Sequence, residues 1–314
     1  MSCHTCKTEC KRKGRDRNGR QRYQCRQCAK TFLEPREDHL DGMTIGIDQA
    51  EMVMKLLLEG NSVSSVERIT GIHHTTILKL LVLAGEKCER IMGEKVRNVE
   101  VRDVELDELF SFVNKKQKRV KPEDDPSFGD AYVFVAIERH SKLVLNIAMG
   151  KRNQATTNVF VEGIRHATSR NPFQITTDGF PAYRSAITTT LHDRLTGYAM
   201  LIKVYKASQE GEARYSPAEV QSVEVVPVYG QPDPERICTS IVERQNLSVR
   251  MGLRRFTRLT NGFSKKWENH WAAVACWFAF YNFCRVHKSI RMTPAMAAGI
   301  SDHIWSVREL LEAA

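Results

Sequence analysis

Apolar residues between positions 48 and 90 recur with the spacing of helices. The clearest case is a stripe with i, i+3, i+4, i+7 spacing, formed by Ile77, Leu80, Leu81 and Ala84. Breaks at Gly60-Asn61 and Gly71-Ile72 divide the segment into three helices. Ser64 and Glu67 have the spacing of a capping box. The pattern predicts a helical domain over residues 45–92 with the connectivity of a helix-turn-helix.

The second helix of a helix-turn-helix enters the major groove of DNA with its first residues. The residues at that position are His73, His74, Thr75, Thr76 and Lys79, and we predict that they contact DNA. Any three-helix bundle shows the same apolar pattern, so a plain helical linker is the alternative. The two histidines do not by themselves indicate a metal site.

Beyond about residue 98 the apolar spacing changes to the alternation of strands. In residues 99–113, Val104, Leu106, Phe110 and Phe112 share one parity, and Asp103, Glu105 and Asp107 share the other. This alternation predicts a half-buried strand with a polar face.

Two apolar strands follow at DAYVFVAI and LVLNIAM, then a helix at NQATTNVFVEGIRHAT, a short strand FQITT and a helix beginning at PAYRSAI. This order is that of an RNase H-like core, a mixed β-sheet with flanking helices. In such a core, acidic residues of the first and fourth strands meet at the centre of the sheet. Asp107 and Asp178 occupy those positions.

A third acidic residue, Glu243, lies in a segment of helical character. At 100° per residue, Glu243, Asn246, Arg250 and Arg254 fall within about 80° of arc on a helix through residues 238–256. One acid followed by arginines on one face suits a metal ligand beside a phosphate-binding surface. The alternative is a solvated amphipathic helix, and the two aspartates favour the first interpretation.

The charge is strongly basic and uneven. The chain of 314 residues has a formal net charge of +10, and residues 1–36 and 244–291 carry net charges of +8 and +9. Such basic blocks predict a nucleic-acid partner. The most apolar run, residues 272–281, is too short to span a bilayer. The expectation is a soluble, cytoplasmic protein without membrane contact.

Four cysteines form two matched pairs. Cys3 and Cys6 are followed, after 18 residues, by Cys25 and Cys28, which is the spacing of a zinc ribbon with a hairpin between its knuckles. We predict a ribbon over residues 1–36 that binds structural Zn²⁺ through these cysteines, with His4 or Cys10 as possible replacement ligands. The basic middle segment predicts contact with DNA or a protein; a purely structural zinc module is the alternative.

Four sequence blocks carry a family resemblance: LDELFSFV, TTDGFPAY, VERQNLSVRMGLRRFTRLTNGFSK and YNFCRVHKSIRMTPAMAAGI. With the ribbon and the helical domain, the chain resembles DDE transposases of bacterial insertion sequences, closest to the insertion-sequence-one type in a single reading frame. The resemblance covers nearly the whole chain.

The resemblance implies that Asp107, Asp178 and Glu243 are catalytic and bind two Mg²⁺ or Mn²⁺ ions. It implies that Arg250 contacts the transposon end. The catalytic domain would span residues 98–290, with an insertion at about 206–237 that is either a strand-bearing lid or a loop. Residues 291–314 would form a helical tail. Glu105 and Glu108 flank Asp107, and either could assist or replace it; Glu108 is the poorer candidate because it shares parity with the apolar face.

The implied reaction is metal-assisted cleavage of a DNA strand, followed by attack of the freed 3′-hydroxyl on target DNA. The residues expected to bind the DNA in this region are Asn246, Arg250, Arg254, Arg255, Arg258 and Lys265. The expected partners are the terminal inverted repeats, target DNA and a second copy of the chain in a homodimer or larger assembly. The alternatives are a DNA-binding regulator with an inactive core, and an RNase H-like nuclease or resolvase.

Overall fold

The protein's structure, a computed structural model, describes residues 1–3, 5–16, 21–33, 39–205, 220–257 and 260–313. The chain divides into two compact units, Met1–Gly42 and Met43–Ala314. The helical segment, the core and the tail predicted from sequence all lie within the second unit.

The first unit is a small antiparallel sheet. Its strands are β1 (Cys10–Arg15), β2 (Gln21–Cys25) and β3 (Thr31–Leu33), in the order β1-β2-β3. Cys10 pairs with Cys25 across β1 and β2, so the segment between the two cysteine pairs folds back as predicted. Its core consists of cysteines with Tyr23 and Phe32 packed against them. Residues 4 and 17–20, which include His4 and two of the basic residues, lie outside the described part.

Three helices begin the second unit at the positions that the sequence predicts. They are α1 (Ile47–Leu58), α2 (Val63–Thr70) and α3 (His74–Lys95). The predicted capping box of Ser64 and Glu67 is wrong, because Ser64 already lies inside α2. Ser62 caps the helix instead, and its side chain accepts a hydrogen bond from the backbone N of Ser65 at 3.1 Å.

A six-stranded mixed sheet forms the centre of the second unit. Its order is β6-β5-β4-β7-β8-β9; β4, β7 and β8 are parallel, and the other pairs are antiparallel. The strands are β4 (Asp103–Val113), β5 (Gly129–Glu138), β6 (Val144–Gly150), β7 (Phe173–Thr177), β8 (Leu195–Tyr205) and β9 (Val220–Gly230). Helices α4 (Gln154–Ala167) and α5 (Ala182–Thr190) flank β7 in sequence. The predicted succession of strands and helices is confirmed, and the sheet is consistent with an RNase H-like core.

Strand β4 departs from its predicted alternation. Asp103, Glu105 and Ser111, on the parity expected to be polar and half exposed, are buried, whereas Phe110 on the apolar parity is 43% exposed. The prediction failed because helices from the C-terminal half of the chain cover the polar-parity face. Strand β9 lies in the predicted insertion and pairs with β8; residues 206–219 of that insertion lie outside the described part.

The C-terminal half supplies α6 (Ser240–Gly252), α7 (Trp267–Phe283), α8 (Pro294–Ala297) and α9 (Val307–Glu312). Helix α6 ends at Gly252, so the helix predicted to continue to residue 256 is too long, and Arg254 lies in the following 3₁₀ turn. A Cβ on Gly252 would lie 2.5 Å from Nε1 of Trp277. This close approach of α6 to α7 requires glycine at the end of the helix.

Helix α7 joins the helical segment to the core. It packs against α3, where a Cβ on Gly85 would lie 2.5 Å from Cα of Ala272. Helix α3 also contacts the C-terminal tail, because Nζ of Lys87 donates to the carbonyl of Leu311 in α9 at 2.7 Å. Trp277 of α7 is fully buried. Among the described residues, no helix has the length and apolarity needed to cross a membrane.

Candidate active site

Three separate elements bring the predicted catalytic residues to one cavity. β4 and β7 are parallel neighbours whose last paired residues are Leu106 and Thr177, so Asp107 and Asp178 follow side by side. Helix α6 packs on β4 and contributes Glu243 from its first turn. The cavity has a volume of about 490 Å³, and its lining includes Asp107, Glu108, Asp178, Lys203, Thr239, Glu243, Asn246 and Arg250.

Three carboxylates in this cavity can share one cation. Asp107, Glu108 and Asp178 offer oxygens that lie within 4.8 Å of one another. Adjacent residues of a strand, such as Asp107 and Glu108, point to opposite faces of the sheet. Both can nevertheless reach the same space, because the neighbouring strand β7 ends at Thr177 and leaves the sheet open beside them. Carboxylate oxygens suit Mg²⁺ or Mn²⁺, so the donor set fits the expected divalent cation. Sequence parity made Glu108 the poorer candidate, whereas the structure places it in the cluster.

The cluster is electrostatically costly without a cation. Burial, followed by the charge of Asp178, raises the pKa of Asp107 to about 6 and the pKa of Glu108 to about 7. Burial also raises the pKa of Asp178. Each shift disfavours the charged form, and a bound cation would reverse that preference.

Glu243 lies in the same cavity but is held by other groups. Its Oε1 accepts a hydrogen bond from Thr239 Oγ1 at 2.6 Å and forms an ion pair with Lys203. Glu243 therefore lies beside the cluster, and Lys203 is its counter-ion.

Arg152, which the sequence analysis did not single out, borders the cluster. Its Nε donates to Glu108 Oε2 at 2.9 Å, and its Nη2 lies 3.5 Å from Asp178 Oδ2. The guanidinium also lies 4.0 Å from the ring centre of Phe180. The residue follows β6 in a short loop, where no periodicity marks it. Only the sheet order brings it next to Asp178.

Asn246 and Arg250 share the helix face of Glu243, as predicted. The amide of Asn246 is buried and donates from Nδ2 to Asp107 Oδ2 at 2.7 Å. A buried amide bonded to the carboxylate of Asp107 does not favour the DNA contact predicted for Asn246. Arg250 lines the cavity.

Glu105 lies apart from the metal-binding cluster. Its Oε2 accepts hydrogen bonds from the backbone N of Ile241 at 2.8 Å and of Val242 at 3.0 Å. It therefore does not replace Asp107 as a ligand.

One segment of the chain matches a known protein family. Residues 129–219 match the family described as a DDE domain. The chain carries a DDE transposase domain. It is therefore an enzyme of the metal-dependent DDE class. The matched residues of this domain include Asp178, whereas Asp107 and Glu243 lie outside them and are joined to Asp178 by the fold.

Solved structures with some likeness to this DDE protein include two transposase complexes. The piggyBac transposase synaptic complex with hairpin DNA is 10% identical, with 88% of this chain and 70% of that chain covered and a TM-score of 0.40. The Mos1 transposase paired-end complex with the left transposon end is 12% identical, with 51% and 59% covered and a TM-score of 0.20. No curated protein matches the chain.

The basic residues after Glu243 in this DDE protein differ in their surroundings. Arg254 and Lys265 are exposed. Arg255 instead donates from Nη1 to Ser264 Oγ at 2.7 Å, and burial lowers its pKa to about 10. Its contact with Ser264 does not favour a role in binding phosphates. Arg258 lies outside the described residues.

The residues predicted to read DNA surround the start of α3. His73 caps the helix, and His74, Thr75 and Lys79 are exposed, with Thr76 half-buried. This surface is compatible with the predicted contact, which stays a prediction. Glu67, His73 and His74 have possible metal-binding atoms within 4.8 Å of one another, but Glu67 is bonded to the backbone N of His74 at 2.9 Å.

The four predicted zinc ligands come together in the first unit. The sulfurs of Cys3, Cys6, Cys25 and Cys28 lie within 4.8 Å of one another. The backbone N of Cys28 donates to Cys25 Sγ at 3.4 Å, and this contact is the main cause that lowers the pKa of Cys25 to about 6. A thiolate cluster of this kind fits Zn²⁺. Cys10 is not part of it and donates to the carbonyl of Thr8.

Proposed function

We propose that this protein is a transposase of the insertion-sequence-one type, which cleaves DNA at the ends of its element and joins the freed 3′-hydroxyls to target DNA. The observation that carries the proposal is the convergence of Asp107, Asp178 and Glu243 from two strands and a helix in one cavity. The DDE match over residues 129–219, a segment that includes Asp178, supports the proposal.

The residues of the cavity have separable roles in this reaction. Asp107, Glu108 and Asp178 would hold one divalent cation, and Glu243, beside them on α6, would take part in holding the second. A bound pair of divalent cations supplies Lewis-acid activation of the attacking oxygen and stabilisation of the leaving oxygen. Asn246 fixes Asp107 through its hydrogen bond. Arg250 at the cavity wall provides positive charge for the DNA phosphate.

The DNA partner follows from charge and exposure. Residues 244–291 carry a net charge of +9, and Arg254 and Lys265 present theirs at the surface. The exposed start of α3 is proposed to read the terminal inverted repeats. Because two ends must be paired before joining, we propose a homodimer or larger assembly, acting at the nucleoid of a bacterial cytoplasm.

The test uses a labelled duplex that carries the terminal inverted repeat flanking this gene. The duplex is incubated with a plasmid target and Mg²⁺ or Mn²⁺, with the intact protein, Asp178→Ala and Asp193→Ala. Asp193 is an aspartate paired with Arg165 and is absent from the cavity lining, so its variant controls for general effects of losing an acid.

Joined product that is lost with Asp178→Ala and retained with Asp193→Ala supports the proposal. Metal-dependent nicking without joining would instead indicate a nuclease or resolvase. Metal-independent binding without cleavage would indicate a DNA-binding regulator.

A further inference from the structure

Helix α6, which carries Glu243, is capped from another element. The first N–H groups of a helix have no partner inside the helix. In α6 the backbone N–H groups of Ile241 and Val242 both donate to Oε2 of Glu105, at 2.8 Å and 3.0 Å. Glu105 lies on β4, two residues before Asp107, and only 1% of it is exposed.

The helix's own capping residue is used elsewhere. Thr239 occupies the N-cap position, but its side chain caps no backbone N–H of α6. Its Oγ1 donates instead to Oε1 of Glu243 at 2.6 Å. Thr239 thus bonds to Glu243, the proposed catalytic glutamate. Glu105 accepts the hydrogen bonds from the first N–H groups of the helix in place of Thr239.

A second contact joins the same two elements. Asn246 of α6 donates to Asp107 of β4. The helix is therefore attached to the strand at two places, at Glu105 and at Asp107. Two residues of a strand span about 6.8 Å, and four to five residues of a helix span about 6 to 7.5 Å. The two contacts therefore match in spacing and set how far along β4 the helix lies.

We propose that Glu105 is a positioning residue, which fixes α6 along β4 and so brings Glu243 to the metal-binding carboxylates. The inference rests on the proposed function of this site. The negative charge of Glu105 also complements the positive end of the helix dipole. Burial of a carboxylate costs free energy. Helices are usually capped without this cost by Ser, Thr, Asn or Asp at the N-cap position.

Glu138 offers a matched control. It is also a buried glutamate of the central sheet, and its Oε2 accepts from the backbone N of His140 at 3.0 Å and of Ser141 at 2.6 Å. Glu138 caps the turn between β5 and β6 and makes no contact with α6 among the hydrogen bonds of the described residues. Its loss reproduces the removal of a buried capping carboxylate without releasing α6.

The experiment measures Mn²⁺ affinity of the full-length, zinc-loaded protein by electron paramagnetic resonance of free Mn²⁺, without DNA. The variants are Glu105→Ala, Glu105→Gln and Glu138→Ala, each alone and together with Glu243→Gln. Melting temperatures without Mn²⁺ report stability. Removal of residues that orient metal ligands weakens binding by about 10- to 100-fold, so we expect Glu105→Ala to weaken Mn²⁺ binding at least about tenfold.

The other variants separate positioning from stability. Glu105→Gln keeps an oxygen for both N–H groups and is expected to restore most of the affinity. Glu138→Ala is expected to lower the melting temperature and leave Mn²⁺ affinity unchanged. In the Glu243→Gln background, Glu105→Ala is expected to cause no further loss, because a double-mutant cycle detects whether two residues act through one another.

Several results would overturn the inference. They are equal Mn²⁺ affinity of Glu105→Ala and Glu138→Ala, a full additional loss in the Glu243→Gln background, and no effect of Glu243→Gln itself. If Glu105→Ala does not fold, Glu105→Asp decides, because its shorter carboxylate cannot span to α6; unchanged affinity in that variant counts against positioning. If intact protein binds Mn²⁺ as expected but cleaves no DNA, the proposed function fails and the positioning role stands.

Discussion

Nδ2 of Asn246 donates a hydrogen bond to Oδ2 of Asp107 over 2.7 Å. This bond joins the helix that carries Glu243 to the strand that carries Asp107, the first of the proposed catalytic aspartates. Asn246→Leu keeps a side chain of similar size and removes the donor. We expect the single-turnover rate of DNA cleavage to fall about tenfold or more, since Asp107 loses its orienting partner. Ser248→Ala serves as the control, because Ser248 is a half-buried residue of the same helix whose hydroxyl donates to the carbonyl of Arg244. Equal rates for the two variants would contradict the role assigned to Asn246.

Replacement of Asp107 is expected to stabilise the metal-free protein while abolishing cleavage. Burial and the neighbouring charge of Asp178 raise the pKa of Asp107 to about 6, so its ionised form destabilises the folded state at neutral pH. Asp107→Asn removes that charge, and the melting temperature without metal should rise. The additional rise caused by Mg²⁺ should disappear.

Asp193→Asn provides the opposite case for that measurement. Arg165 lowers the pKa of Asp193 to about 2, so loss of this exposed charge should lower the melting temperature slightly and leave the Mg²⁺ response intact. A lower melting temperature for Asp107→Asn without metal would contradict the prediction.

The contribution of Asp107 and Glu108 to the stability of the metal-free protein should fall as pH rises from about 4 to about 7. Asp and Glu side chains of the unfolded chain lose their protons near pH 4. The folded pKa values of Asp107 and Glu108 are raised to about 6 and about 7, so these two groups bind more protons in the folded state over this interval and destabilise it as pH increases. Burial lowers the pKa of His270 to about 3 and that of His287 to about 4, which gives the opposite trend, so the comparison of the intact protein with Asp107→Asn isolates the part due to Asp107.

Divalent cations should show the reverse dependence, because they bind the deprotonated carboxylates. The stabilisation by Mn²⁺ should be small at pH 5 and should grow to its full value near pH 8. Thermal unfolding with and without Mn²⁺ across this range measures both trends. An equal Mn²⁺ response at pH 5 and pH 8 would refute the assignment.

Arg152 and Glu108 should be coupled in stability. Glu108 has a side chain that is only 3% exposed and depends on Arg152 as its ionic partner. Arg152→Ala leaves this buried acceptor without its charged donor, and we expect a loss of about 1–3 kcal/mol in the free energy of unfolding. Adding Glu108→Gln should recover part of the loss, and denaturant unfolding of the two single variants and the double variant measures it. Additive losses would show that the pair does not interact.

Removal of zinc should affect one unit of the chain and spare the other. The cysteine cluster lies in Met1–Gly42, and the catalytic cavity lies wholly in Met43–Ala314. Cys25→Ser should unfold the small sheet, since its core is built from the ligand cysteines. The main thermal transition should remain within about 2 °C of that of the intact protein, because ordinary surface changes shift stability little. Loss of that transition would show that the ribbon supports the catalytic unit.

The order of elements and the positions of Asp107 and Asp178 at neighbouring strands were predictable from the sequence. Strands with strict alternation or continuous apolar runs, such as β4 to β7, reveal themselves locally, and Asp107 and Asp178 follow from their positions on them. The helical face of Glu243, Asn246 and Arg250 was predictable in the same way, because it depends on spacing within one helix.

The rest depends on contacts between distant segments. The burial of Glu105 and the exposure of Phe110 are decided by which helices cover β4, and α6 begins more than a hundred residues later. Arg152 follows β6 and Asp178 follows β7, and these two strands are separated in the sheet by β5 and β4. The approach of Arg152 to Asp178 therefore depends on the order of strands in the sheet. The capping of α2 by Ser62 rather than Ser64 depends on where the backbone first turns helical. Neither composition nor periodicity contains this information.

Strand β4 also constrains how the gene can change. Asp103, Glu105, Asp107 and Ser111 all have the same parity, and each is bonded to a different later part of the chain. Insertion or deletion of one codon within the first residues of this strand would turn the remaining side chains to the opposite face. Such a mutation would break several of these attachments at once, whereas a point substitution breaks one. Natural variants of this protein should therefore show substitutions in β4 but no length changes, and length variation should concentrate in the loops between strands.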